Sequence, residues 1–170
     1  MPLLNGIGAY HDCSVALLDS GWTNDLIGAQ WFEKCFIPQA MEQNTTGKQV
    51  LLIYDGHHSH KTLEICDLVD KSNALLFKIP PHTTHCLQPL DVGIFGPLQR
   101  AWQKQCLEVL DETGQGVLCQ QLVKEYMKAH NKSITENLIL SAWKKTGIRP
   151  FNPQVFTDED FGPSFVLLTN

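Results

Sequence analysis

Two aspartates follow stretches of sequence that predict buried strands. Asp55 comes directly after the apolar run Val50 to Tyr54, and Asp91 follows a second run, Ala74 to Ile79, by way of a proline-rich loop. In an open α/β sheet, functional groups gather at the carboxyl ends of the strands, so both carboxylates could reach one crevice. Because Mg²⁺ prefers carboxylate oxygens, the chemistry that this pair suggests is binding of a divalent metal ion.

The elements that must position the two aspartates predict a β-α-β unit. Both apolar runs are short and continuous, which is typical of strands that are covered on both faces, as in a parallel sheet. Between them, residues 61 to 69 predict a short amphipathic helix with Leu63, Cys66 and Val69 on its inner side. Because such crossovers are nearly always right-handed, we expect the two strands to be parallel and adjacent.

The segment before this unit is mixed. A short apolar run, Val15 to Leu18, suggests a strand, and the spacing of apolar residues from Asn24 to Phe36 predicts a helix. We expect Pro38 to end that helix.

The segment after the unit predicts three helices. Apolar residues recur at helical spacing from Leu98 to Leu110, which predicts the first helix. Gly114 and Gly116 end that segment. A second helix is expected over residues 117 to 130. Ser133, with Glu136 three residues later, has the pattern of a capping box and predicts the start of a third.

The charge of the chain limits how it can contact nucleic acid. The formal net charge is −5 and the pI is about 5.7, which argues against a protein that coats DNA. Any contact must be local, and the best candidates are Lys144, Lys145 and Arg149, which have no acidic residue between Ser141 and Pro153. A solvated helix end is the alternative interpretation. Lys78, at the end of the second strand, is a further candidate for a phosphate contact.

Two general features suggest a soluble intracellular protein. No stretch approaches the roughly 18 consecutive apolar residues of a membrane helix. The six cysteines are spread evenly and never form a C-x-x-C pair. We therefore expect reduced, mostly buried thiols rather than a disulfide framework.

The sequence motifs around the two aspartates are more specific evidence of function than the aspartates alone. They read LIYDGHHSH at residues 52–60 and PPHTTHCLQPLDV at residues 80–92. Together they closely resemble the second and third catalytic blocks of the pogo/Tigger-like branch of the mariner superfamily of DDE transposases. The resemblance covers roughly residues 20 to 155. Further matching motifs lie at residues 21–23 (GWT), 93–98 (GIFGPL) and 146–153 (TGIRPFNP).

The resemblance implies an RNase H-like α/β fold in which three acidic residues hold two divalent ions, Mg²⁺ or Mn²⁺, to cut or join DNA. Asp55 matches the second of these carboxylates and Asp91 the third. DNA would be the substrate, the nucleus the location, and a homo-oligomer possible, as in transposase synaptic complexes. The implied organisation is a catalytic region over residues 1–111, a helical extension over residues 112–155, and a tail over residues 156–170.

The first carboxylate is the departure from this pattern. In such a fold it lies on the first of three antiparallel strands that precede the first helix, and the residues before Asn24 support only one or two strands. Asp12 and Asp19 are the only earlier acids, and Asp19 lies beside the helix entry. We therefore expect an N-terminally truncated catalytic region that is inactive or severely impaired.

Histidines near the two aspartates leave other functions open. His60, His82 and His85 fall in the matching words, where they would orient the site or contact DNA phosphate. With His57 and His58 they could instead bind zinc, as in a zinc hydrolase. A further alternative is a domesticated or decayed transposase remnant that only binds DNA or chromatin proteins. Taken alone, Asp91 also has the pattern of a helix N-cap, and Asp55 that of a turn aspartate.

Overall fold

The computed structural model describes residues 4–7, 10–15, 24–55, 63–157 and 160, and the side chains from Asn24 onward within these ranges. It contains both strands and helices, in agreement with the α/β class. The described strands are β1 (Leu4–Ile7), β2 (Tyr10–Val15), β3 (Val50–Tyr54) and β4 (Ala74–Lys78). The described α-helices are α1 (Asp25–Trp31), α2 (Ile37–Gln43), α3 (Leu63–Asp70), α4 (Thr84–Leu87), α5 (Phe95–Thr113), α6 (Leu122–Ser133) and α7 (Glu136–Lys145).

The chain divides into two compact units, residues 1–82 and residues 83–170. The predicted functional boundary at residue 111 stays a prediction. None of the described helices combines the length and the apolar character needed to cross a bilayer.

The parallel strand pair of the first unit confirms the predicted β-α-β arrangement. β3 and β4 are parallel neighbours, with Val50 opposite Ala74 and Tyr54 opposite Lys78. The core on one side of this pair consists of Ala29, Phe32, Ile65 and Ala74, with partly buried residues of α3 around them. Large side chains of the strands are exposed instead, namely Leu51, Leu75 and Phe77. The prediction that both strand faces are covered was therefore wrong.

The inner face of α3 also differs from the prediction. Ile65 is buried, and Leu68 and Val69 pack against the core, whereas Leu63 and Cys66 are exposed. The first two residues of the predicted helix, Lys61 and Thr62, lie outside the described residues, and its apolar stripe was placed one position away. Val69 is the one residue of the predicted set that faces inward.

The first helical segment continues through Pro38 rather than ending there. A π-helical turn, Phe32–Phe36, follows α1, and the N–H of Ile37 donates to the Phe32 carbonyl five residues back. The wider turn shifts the hydrogen-bond register just before Pro38, which stands at the start of α2 and lacks only a donor. Helical structure therefore extends to Gln43.

Two antiparallel strands precede this segment. β1 and β2 pair with Leu4 opposite Val15 and Asn5 opposite Ser14, with an irregularity before Ile7. Asp12 lies on β2, and Asp19 lies outside the described residues. The strand predicted over Val15 to Leu18 is described only at Val15, which ends β2.

The second unit consists of helices. α5 ends before Gly114, which has a left-handed φ of 69° and whose N–H donates to the Leu110 carbonyl, as expected for a C-terminal glycine. α7 starts differently from the prediction, because its N-cap is Thr135, whose hydroxyl accepts from the Leu138 N–H at 3.2 Å. Ser133 instead ends α6, and its hydroxyl donates to the Ala129 carbonyl.

The described cysteines are free thiols. Cys35 is buried, Cys66 and Cys119 are exposed, and Cys86 and Cys106 lie between these extremes. The thiols are therefore less buried than the sequence suggested.

A buried polar pair joins α5 to α6. The side-chain amide of Gln105 donates to a Glu125 carboxylate oxygen at 2.9 Å, and both residues are buried. Lys128 donates to the other carboxylate oxygen at 3.0 Å, and Lys132 donates to the Gln105 oxygen at 3.2 Å. Since buried polar groups are costly when left without a partner, this network fixes how the two helices meet.

We predict that Glu125→Ala lowers the free energy of unfolding by about 2 kcal/mol, because it leaves the buried Gln105 amide without its acceptor. The matched control is Glu108→Ala, which removes only the more exposed ion pairs to Lys104 and Lys132 and should cost less than about 1 kcal/mol. Urea denaturation followed by circular dichroism measures both. Equal costs for the two variants would contradict the role given to the buried pair.

Candidate functional site

Asp55 lies where the parallel ladder ends. It follows β3 directly and its side chain is half-buried. On the neighbouring strand, Lys78 stands opposite Tyr54, and the Ile79 N–H donates to the Tyr54 carbonyl at 2.9 Å. Asp55 and the exposed Lys78 are thus held at the same carboxyl edge of the strand pair. This is the location that the sequence predicted for both.

Tyr54, which precedes Asp55, reports an apolar environment beside this edge. Burial raises the pKa of the Tyr54 phenol above its ordinary value of 10.0, and the nearby Cys66 thiol adds to the rise. The phenol therefore stays neutral at physiological pH.

Asp91 lies in the first part of a π-helical turn, Leu90–Ile94, that leads into α5. Its side chain is exposed, and within the described residues its carboxylate makes no hydrogen bond or ion pair. The N-cap of the turn is Pro89, and the cap of α5 is Ile94 without a side-chain bond. The N-cap interpretation of Asp91 was therefore wrong, and the carboxylate is open to a ligand.

A close contact with α7 fixes the turn that carries Asp91. A Cβ added to Gly93 would lie 2.6 Å from the Cβ of Ala142 and 3.0 Å from its Cα. Such distances are too short for carbon atoms, so only glycine allows the backbone to approach α7 this closely. α4 packs against the same turn from its N-terminal side.

The histidine candidates are placed unevenly. His60, like His57 and His58, lies outside the described residues. His85 is exposed on α4, the helix that packs against the Asp91 turn. His82 is exposed, with a left-handed φ of 63°. Among the residues that the structure describes, no group of three or more His, Cys, Asp or Glu side chains could hold a metal ion.

The predicted cations of the second unit lie around a cavity at the end of α7. The cavity has a volume of about 280 Å³ and is lined by Ser141, Lys144, Lys145, Pro150, Asn152 and Val155. Arg149 precedes Pro150 and is exposed. Within the described part of the chain, none of the three cations forms an ion pair, in contrast to Lys104, Lys128 and Lys132. All three cations are exposed, which fits both a local contact with DNA and a solvated helix end, so the DNA contact stays a prediction.

The loop that closes this cavity depends on Gly147. Its φ is +67°, and a Cβ there would overlap the Asn152 carbonyl and lie 2.8 Å from a methyl group of Val155. The Asn152 N–H donates to the Gly147 carbonyl at 2.7 Å, and the hydroxyl of the buried Thr146 donates to the Trp143 carbonyl at 2.9 Å. The loop is folded back on the end of α7 by these contacts.

The predicted residues fall into two sets. Asp55 and Lys78 share an edge in the first unit, whereas Asp91, His85 and the cations near the α7 end belong to the second. The prediction that Asp55 and Asp91 meet at one crevice stays a prediction.

Three contributing residues were not singled out from the sequence, namely Gly93, Ser141 and Asn152. Gly93 and Asn152 do lie within the quoted words GIFGPL and TGIRPFNP, so their positions beside Asp91 and Arg149 were a usable signal. Ser141 had none, because its role depends on how the loop returns to α7.

We predict that Gly93→Ala lowers the free energy of unfolding by about 1 to 3 kcal/mol, because the added methyl group overlaps Ala142. Adding Ala142→Gly should recover part of this loss, although that change alone costs about 1 kcal/mol in a helix. Thermal denaturation of the two single variants and the double variant gives the coupling.

Gly116→Ala is the matched control, since a Cβ at Gly116 meets nothing within 4 Å. Purely additive effects of Gly93→Ala and Ala142→Gly would show that the contact is not the cause.

Comparison with known proteins identifies the family. The family described as DDE superfamily endonuclease matches residues 6–143, a span that includes both Asp55 and Asp91. A protein of Cochliobolus lunatus named MFS-type transporter clz9 is 33% identical over 144 residues, which is 85% of this chain. The chain spans about a sixth of that relative, 16% of its length. No solved structure matches. The chain therefore belongs to the DDE superfamily endonucleases.

Proposed function

We propose that this chain carries two of the metal-binding carboxylates of a transposase that cuts and joins DNA, with an RNase H-like fold and of the pogo/Tigger-like branch. The observation that carries the proposal is the family match over residues 6–143, which contains Asp55 and Asp91 within their motif words. The parallel β3–β4 pair, with Asp55 at its carboxyl edge, supports the same assignment.

The donor set fits a hard divalent ion. Asp55 is half-buried at a strand end, and Asp91 is exposed on a turn that packing holds in place. Carboxylate oxygens suit Mg²⁺ or Mn²⁺, and ions held there would stabilise the attacking and leaving oxygens of an in-line displacement. In this proposal the fold holds each of the two carboxylates in place before DNA binds.

Substrate, location and assembly follow from the family. We propose DNA as the substrate, the nucleus as the location, and a homo-oligomer as the working assembly. His60, His82, His85, Lys78 and the cations near the α7 end are proposed as contacts to DNA or as groups that orient the site. We also propose that the 170 residues alone cut DNA poorly, because Asp55 and Asp91 supply only two of three carboxylates.

A second candidate is a module that retains DNA without cutting it. The cavity lined by Lys144 and Lys145 favours it, since these cations have no ion-pair partner within the described residues. This candidate needs no metal, so DNA retention in the presence of a chelator would support it.

We predict that the chain binds Mn²⁺ weakly and that Asp55→Asn and Asp91→Asn each lower the Mn²⁺ affinity by about tenfold or more. Loss of a residue that only hydrogen-bonds a metal ligand already lowers metal affinity about tenfold, so loss of a ligand should cost at least as much. Asparagine keeps the size of the side chain and removes its charge. Isothermal titration calorimetry measures the affinity, and nicking of supercoiled plasmid with Mn²⁺ measures any residual cleavage.

The controls are Asp67→Asn on α3 and Asp111→Asn on α5, both exposed acids in the same two units. They should leave Mn²⁺ affinity within about twofold of the parent. If all four variants bind Mn²⁺ like the parent, the carboxylate assignment is wrong. Tight Zn²⁺ binding that is lost on substitution of His82 or His85 would point instead to a zinc site.

A further inference from the structure

Phe151 is the most exposed aromatic side chain among those given for the described residues. It is 83% exposed although it lies between Pro150 and Asn152, which both line the cavity at the end of α7. A single exposed apolar residue is ordinary on a protein surface. The surroundings of Phe151 are what make its exposure informative.

The charges nearest to Phe151 in the sequence are positive, and the acidic run Asp158 to Asp160 begins seven residues after it. From residue 137 to residue 157 the sequence holds Lys144, Lys145 and Arg149 and no acidic residue, in a chain of net charge −5. Two lysines in the last turn of α7 offset the negative end of the helix. Arg149 lies beyond that end and adds a third positive charge. The positive charge near the cavity therefore favours binding of an anion.

The loop is also held in one shape before any ligand binds. The Asn152 N–H donates to the Gly147 carbonyl at 2.7 Å, and the Asn152 side chain accepts from the Gln154 N–H at 3.1 Å. Pre-organisation of this kind lowers the entropic cost of binding. At about 280 Å³ the cavity is just below the usual size of small-ligand pockets.

We propose that Phe151 stacks on a base of an unpaired DNA strand while Lys144 and Lys145 contact the adjoining phosphates. An aromatic ring beside a cationic groove is how proteins hold single strands without reading sequence. A paired base inside a duplex presents only its edges in the grooves, whereas an unpaired base offers a face to the ring. The inference rests on the proposed DNA substrate and adds that this contact requires an unpaired strand.

The test uses the full chain in EDTA and a fluorescein-labelled oligothymidine of about 12 nucleotides, within the site sizes known for such grooves. Fluorescence anisotropy gives the affinity at several salt concentrations. Phe151→Ala should weaken binding by about tenfold, because the stacking on one base is lost, and should leave the salt dependence unchanged. Phe151→Trp should bind at least as tightly as the parent.

The lysines should give a different signature. Lys144→Gln with Lys145→Gln should weaken binding and reduce the slope of log affinity against log salt by about 1.4, at about 0.7 for each lost phosphate contact on a single strand. The controls are Lys124→Gln, an exposed lysine on α6, and Leu63→Ala, whose side chain is 86% exposed. Both should match the parent.

Several results would overturn the proposal. These are no measurable binding of oligothymidine by the parent, a change below twofold in Phe151→Ala, or an equal loss on a duplex of the same length. A loss of self-association in Phe151→Ala, seen by analytical ultracentrifugation with DNA affinity intact, would identify the loop as a protein contact instead. Since the assay contains no metal, its failure is distinguishable from failure of Mn²⁺ binding at Asp55 and Asp91.

Discussion

The close approach of Gly93 to Ala142 is the contact on which the second unit depends. It brings the backbone of the Asp91 turn against α7 at a distance that no other residue than glycine permits. Two and three residues after Ala142, the same helix carries Lys144 and Lys145, and Asn152 of the following loop lines the same cavity as these lysines. One packing contact thus sets the spacing between a metal-binding candidate and the cationic cavity.

Glycine has the same role at two places along α7. Gly93 allows the approach to the middle of the helix, and Gly147 allows the chain to fold back at its end with a left-handed φ of +67°. A side chain at Gly93 would overlap Ala142, and one at Gly147 would overlap Asn152 and Val155, which line the cavity. The motif words around Asp91 and Arg149 therefore contain residues required by geometry as well as residues suited to chemistry.

Sequence patterns predicted the elements that have a recognisable signal of their own. The β3–β4 pair, the crossover and the end of α5 at Gly114 follow from apolar runs, connection rules and a glycine cap. The prediction of the inner face of α3 was wrong because apolar stripes through Leu63 and through Ile65 fit an amphipathic helix about equally well. The helix through Pro38 was missed because a π-helical turn has no recognisable sequence pattern.

For the candidate site, the sequence predicted only the chemistry of the residues. Carboxylates, lysines and their motif words are visible in the sequence, and their positions at a strand end and around the α7 cavity agree with it. The exposure of Phe151 was not visible, because an apolar residue between two prolines is equally compatible with a buried loop. Its ring faces solvent since the backbone returns to α7 through Gly147 and Asn152, and that return depends on tertiary contacts.

The distribution of charge reconciles an acidic chain with the proposed DNA substrate. On α5 and α6, Lys104, Lys128 and Lys132 are paired with Glu108 or Glu125 and contribute little net field. Near the end of α7 the cations have no ion-pair partners within the described residues, and the partial negative charge of the helix end offsets only part of their field. Because exposed charges are screened beyond about 10 Å at 0.1 M salt, the local arrangement matters more to a phosphate than the total of −5. A protein of this charge can therefore hold DNA at one place while the rest of its surface repels it.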